Sequence, residues 1–107
     1  MDILSRLFKL SNLPIITPYN LLDNAKLDNY EYVKYYKKEN KFISEMKCLV
    51  DKVDTIFYYE FDNNNYLQKI MMYQNEKMQC MFNREKELKE LKKEYLELDN
   101  IQLSKIG

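Results

Sequence analysis

Few side chains in this chain could do chemistry near neutral pH. Its 107 residues contain no His, which removes the usual near-neutral proton shuttle and the commonest metal ligand. Any catalytic triad built on His is excluded with it. The single Gly is residue 107, so no glycine loop can cradle a phosphate. Cys48 and Cys80 stand far apart, with no CxxC pattern and no His to complete a zinc site. They read as reduced, buried small hydrophobes of an unexported chain. Lys47 adjoins Cys48, but successive strand residues point to opposite faces, so it would not lower the thiol pKa. Carboxylates are plentiful and none sits in a motif; Glu85 and Glu87 fall on different sides of a helix. The expectation is a protein without catalytic residues, cofactor or metal.

Charge narrows the partner. Seventeen Lys+Arg balance seventeen Asp+Glu. Residues 1–54 carry nine basic and eight acidic groups, and residues 55–107 carry eight and nine. Neither half is a steering patch, which argues against a protein that coats nucleic acid or an acidic membrane. No 18-residue apolar run exists to span a bilayer. Met1 to Leu10 is interrupted by Asp2, Ser5, Arg6 and Lys9, and so lacks the continuous apolar core of a signal peptide. A cytoplasmic protein is expected.

The unusual feature is tyrosine. Eight of ten Tyr lie between positions 30 and 73. A Tyr ring offers large contact area with few rotors and a polar tip, which suits interface anchors. It is also a good strand residue whose hydroxyl reaches water from a core edge.

These side chains need elements to place them. Between Tyr30 and Phe82, polar tetrads begin at Lys38, Asp51, Asp62 and Gln74, at steps of 13, 11 and 12 residues. Such spacing marks a strand meander. Asn and Asp tolerate positive φ better than most residues and can replace Gly in tight turns. Within 41–50, Phe42, Ser44, Met46, Cys48 and Val50 alternate with Lys41, Ile43, Glu45, Lys47 and Leu49. Within 55–61, Thr55, Phe57, Tyr59 and Phe61 alternate with Ile56, Tyr58 and Glu60, and Met78, Cys80 and Phe82 alternate with Gln79 and Met81. One cleaner apolar face per segment is what a half-buried antiparallel sheet requires. Residues 66–73 are apolar on both faces. Met71, Met72, Met78 and Met81 read as core filling.

Helices flank the meander. Residues 2–10 fit a short amphipathic helix with Asp2 as N-cap. Thr17-Pro18 opens a second, with Leu21, Leu22 and Ala25 as its buried side. Asn83 would cap a helix over 84–98, whose Leu88, Leu91, Tyr95 and Leu98 make a narrow seam to lie across one sheet face. Asp99-Asn100 would end it, leaving 100–107 as a tail. The fold expected is a single α+β domain: residues 1–28 helical, an antiparallel β-meander of four to five strands over about 30–82, and a C-terminal amphipathic helix over about 84–98. The alternative is an all-α helical hairpin, because Phe42, Met46, Leu49, Val53 and Phe57 also follow helical spacing.

On that fold, Tyr32, Tyr36, Ile43, Ile56 and Tyr58 are the candidate protein-interaction residues, apolar groups among Lys and Glu on the less apolar side of the sheet. The functional expectation is a small non-catalytic protein-binding module acting by steric occlusion of a partner protein. An inhibitor, immunity protein, antitoxin or phage-encoded anti-defence protein would have these properties. The alternatives are a structural subunit or homo-oligomeric module, including a homodimer, and, less favoured by the charge, a nucleic-acid binder.

Overall fold

The computed structural model describes residues 16–106, with 99–106 described by backbone alone. The candidate helix over 2–10 lies outside the described residues. In order come a 3-10 helix η1 (Pro18–Lys26), strands β1 (Tyr30–Lys38), β2 (Lys41–Val50), β3 (Val53–Phe61), β4 (Leu67–Gln74) and β5 (Lys77–Asn83), and helix α1 (Arg84–Ile106). The strands form one antiparallel sheet in the order β1-β2-β3-β4-β5. The α+β meander is therefore present, and the helical hairpin is not.

Every polar tetrad contains a turn, made without glycine. Asp51 and Lys52 (φ 48° and 66°) and Asn75 and Glu76 (φ 53° and 62°) both adopt left-handed backbone. Two consecutive positive φ values define the type I′ turn that matches the twist of a tight hairpin. Glu39 (φ 52°) opens the β1–β2 turn. At the β3–β4 turn Asp62 supplies the organising carboxylate. Its Oδ1 accepts from the backbone N–H groups of Asn64 and Tyr66 at 2.9 and 3.0 Å, while Asn65 takes φ 64°.

Alternation sorts the strands into two faces. The inner face collects Val33, Phe42, Met46, Phe57, Tyr59, Phe61, Leu67, Ile70 and Phe82, with Leu21 of η1 packed into the same cluster. Met46, Phe61 and Leu67 at its centre are almost fully buried. Thr17 and Pro18 open η1 as the sequence indicates, with Thr17 N–H donating to Asn20 Oδ1 at 2.7 Å. The winding is 3-10, however, with i and i+3 eclipsed. Pro18 and Leu21 are buried, whereas Leu22 and Ala25, expected to be buried, are exposed.

Further expectations, in β5 and in the C-terminal helix, are corrected. A bulge opposite Ile70/Met71 inserts Met81, so Phe82 lies on the inner face while Met78 and Cys80 fall on the other. An extra residue inverts side-chain parity from that point on. Cys48 is buried, but Cys80, Met78 and Met81 are exposed. Asn83 does cap the helix, its Oδ1 accepting from Lys86 N–H at 3.2 Å, yet α1 runs beyond Asp99-Asn100 to Ile106. It meets the sheet at β4 and β5. Leu91 is buried and Leu88 half-buried, but Tyr95 and Leu98 are exposed, so burial of the seam stops after its second turn. Among the described residues no helix is long and apolar enough to cross a membrane.

Candidate functional site

The pairing register places the candidate residues in rows across the outer face. One row reads Tyr32, Lys47, Ile56, Tyr73, Met78 from β1 to β5. The next reads Lys34, Glu45, Tyr58, Met71, Cys80, and the third Tyr36, Ile43, Glu60, Lys69, Asn83. Tyr32, Tyr36, Ile43, Ile56 and Tyr58 therefore share one face, opposite the core that holds Leu21. Their exposure is not uniform. Ile43 is 4% exposed and forms a floor, not a contact surface. Tyr32, Tyr36, Ile56 and Tyr58 are half-buried. The most accessible apolar groups of this face are Leu49, Tyr73 and Met78.

At the centre is a residue that sequence reasoning passed over. Glu45 is buried on β2, and its carboxylate is held by three groups. Tyr32 and Tyr36 donate their hydroxyls to Oε2 and Oε1 at 2.7 and 2.8 Å, and Lys34 Nζ lies 3.3 Å from Oε2. Lys34 also sits over the ring of Tyr32, 5.2 Å from its centroid. The geometry follows from register. Lys34 pairs directly with Glu45, and Tyr32 and Tyr36 lie one position to either side on the same face. A carboxylate taken out of water needs such donors.

The protonation states follow. Burial pushes the Glu45 carboxyl upward, but the hydrogen bonds from Tyr32, Tyr36 and Lys34 outweigh it and hold the group below its ordinary value. Burial first, and then donation to Glu45, pushes Tyr36 up to about 12 and Tyr32 higher still. Tyr58, opposite Glu45 on β3, is raised by burial and by the Glu45 charge. The site is therefore a fixed anion with neutral phenols around it. A carboxylate whose pKa is lowered is a poor general acid or base near neutrality.

Around this centre the charges pair. Lys41 Nζ lies 3.6 Å from Glu60 Oε1, and Lys47 Nζ lies 3.2 Å from Glu31 Oε2. Toward β5 the first two rows become apolar, while the third ends in Lys69 and Asn83. A hollow of ≈ 290 Å³ opens there, with Tyr36 and Lys38 at one side, Ile43, Tyr58 and Glu60 along the middle, and Met71 and Met78 at the other side. All five strands contribute to it. Among the described residues no group of three or more Cys, Asp and Glu could hold a metal ion.

The parity of 41–50 groups Glu45 with Ile43 but reads it as solvated, because a charged residue in an alternating strand reads as outward-facing. Tyr73 lay in a segment apolar on both sides, and Met78 was displaced by the bulge. No family model matches the chain, and no curated protein or solved structure matches it in comparison.

Proposed function

We propose that the chain is a non-catalytic binding module that occludes another protein with the outer face of its sheet, in the manner of a small inhibitor, immunity protein or antitoxin. One observation carries this reading. The register assembles Tyr32, Tyr36, Ile56 and Tyr58 with the exposed Leu49, Tyr73 and Met78 on one face, and the buried Glu45 clamps two of the rings in place. Aromatic anchors whose rotamers are already fixed lose little entropy on binding. A mixed apolar and paired-charge surface is the composition of a protein interface. The partner is accordingly a protein with an apolar projection that fills the hollow beside Tyr58 and Met71.

Nucleic acid is disfavoured because three lysines at the centre of this face are matched by carboxylates. Lys34, Lys41 and Lys47 each have a carboxylate within 4 Å, whereas a phosphate-tracking surface leaves its cations free for the backbone. The proposed setting is the cytoplasm, where an exposed free thiol such as Cys80 stays reduced.

The test uses photo-crosslinking in the native host. A photoreactive amino acid is placed at Ile56 or Tyr58 on the outer face and, separately, at Lys37 on the inner face. The reading expects a defined protein adduct from positions 56 and 58 that is absent from 37. Adducts from Lys37 alone, or no difference between the faces, would overturn it.

A further inference from the structure

We propose that the free edge of β5 pairs antiparallel with β5 of a second copy, about a two-fold axis at Gln79. A five-strand meander leaves two edges, β1 and β5, and an unpaired edge is a template for another strand unless it is guarded. The β1 edge is guarded. It carries Glu31, Lys34, Lys37 and Lys38, has a bulge at Glu31, and η1 packs beside it with Tyr35 donating its hydroxyl to Pro18 O at 2.8 Å. Over 78–80 the β5 edge carries none of these devices, its own bulge lying beyond at Met81. From Met78 to Asn83 there is no charged residue and no Pro, and every residue from Lys77 to Met81 is exposed. Met78 and Met81 are 53% and 55% exposed, values expected of surface polar residues and unusual for two thioethers on one short strand.

Hydrogen-bond direction selects the register. Asn75 and Glu76 form a two-residue turn, so the flanking pair Gln74/Lys77 is a narrow, bonded pair. Bonded and non-bonded pairs then alternate: Gln79 bonds to Met72, while Met78 and Cys80 direct their N–H and C=O groups away from β4. The bulge takes up Met81, and α1 begins at Arg84. The regular outward stretch is therefore 78–80, centred on Gln79. A two-fold axis at Gln79 sets Met78 against Cys80 of the second copy, twice, and all four main-chain bonds can form. An axis at Met78 or Cys80 satisfies only one such pair.

The same register is chemically self-consistent. Lys77, the one charge on the strand, comes opposite Met81 of the second copy and not opposite another lysine. Met78 lies beside Cys80 on the outer face. The two Gln79 amides meet on the inner side, where each can donate to the other. With zero formal net charge, two copies have no overall repulsion to overcome. These properties favour a second copy over a foreign strand.

The register makes a sharp test. At a non-bonded antiparallel pair the Cα atoms stand about 4.5 Å apart, within the range a disulfide accepts. In the full chain with Cys80→Ser, Gln79→Cys should give a covalent dimer under mild glutathione oxidation, and Lys37→Cys in the same background should not. Sedimentation equilibrium of the unaltered chain should show a concentration-dependent dimer. Gln79→Glu, which opposes two carboxylates at the axis, should raise its dissociation constant roughly threefold to tenfold with an unchanged circular dichroism spectrum. Cys80→Pro should abolish dimerisation, because it removes an outward N–H that the intramolecular sheet does not use. A monomer at all concentrations, crosslinking of Gln79→Cys no faster than of Lys37→Cys, or a dimer indifferent to both Gln79→Glu and Cys80→Pro would overturn the proposal. So would capture of the edge by another protein in place of a second copy. A monomer that still crosslinks from Ile56 and Tyr58 would overturn edge pairing alone and leave the outer-face reading standing.

Discussion

Removing the Glu45 carboxylate tests whether the outer face is a built site or a chance grouping of strand residues. Glu45→Ala takes away the acceptor of two hydroxyl bonds at 2.7 and 2.8 Å and the partner of Lys34. Hydrogen bonds to a charged group contribute about 1.5–3 kcal/mol each, and the low end applies here because the half-buried phenols can turn toward water. Lys34 is mostly exposed and adds little. The loss is about 2–3 kcal/mol, which for a domain of this size lowers Tm by roughly 8–20 °C. Glu45→Gln keeps one acceptor but presents its amide N–H₂ to the other phenol, and costs about 1 kcal/mol. Combining Glu45→Met with Tyr32→Phe and Tyr36→Phe removes both sides of the network, and should recover most of the alanine loss, since an apolar replacement of a complete buried polar group is often neutral. Urea titration across pH supplies the second readout. The Glu45 pKa is lower folded than unfolded, so its contribution is present above the ordinary value of 4.5 and lost as pH falls through the folded value. The stability gap between the unaltered chain and Glu45→Gln should therefore narrow below that pH. If Glu45→Ala costs less than about 0.5 kcal/mol, or the gap to Glu45→Gln is flat with pH, the clamp does not hold the face and the reasoning fails.

Other consequences are simpler to check. Lys52 and Glu76 adopt left-handed backbone at φ 66° and 62°, so Lys52→Gly and Glu76→Gly should each raise stability by about 0.5–1 kcal/mol in urea titration. Cys80 is exposed, whereas Cys48 is buried and its thiol is pushed up by burial. An aromatic disulfide reagent should titrate one thiol in the folded protein and two in denaturant, and Cys80→Ser should remove the fast one. Tyr36 is raised to about 12. Its raised value stabilises the fold below the ordinary Tyr value of 10.0 and that stability is lost as pH rises through 12. Tyr36→Phe should accordingly remove a late-titrating phenol from the alkaline absorbance curve and flatten the alkaline loss of stability.

The strands were legible because two independent signals agree. Polar tetrads fall where hairpins turn, and parity within 41–50 and 55–61 separates Met46 and Phe61 from Ile43 and Tyr58. The same parity puts Ile43, Ile56 and Tyr58 on one side, and the β1–β2 register brings Tyr32 and Tyr36 to join them. What stayed hidden depends on partners that lie elsewhere in the chain. Glu45 is an ordinary outward charge until Tyr32 and Tyr36 of the neighbouring strand reach it. Met81 is a strand residue until pairing with β4 makes it a bulge, and no residue type in 78–82 announces that. Leu22 falls on the buried face of an α-helical period, but the chain winds here as 3-10, which turns Pro18 and Leu21 inward instead. The helix passed Asp99-Asn100 because these residues are only mildly unfavourable in a helix, and no Pro or Gly follows before 107 to stop it.

Binding affinity on opposite faces of the sheet is the most direct test of the central claim. Once a crosslinked partner is identified, its dissociation constant is measured by titration calorimetry for Tyr58→Ala and Ile56→Ala on the outer face and Lys37→Ala on the inner face. The account predicts a loss of roughly 30-fold or more for at least one outer-face variant, the size of a 2 kcal/mol anchor, and a change of less than about threefold for Lys37→Ala. Equal losses on both faces, or unchanged affinity for Tyr58→Ala and Ile56→Ala, would contradict it.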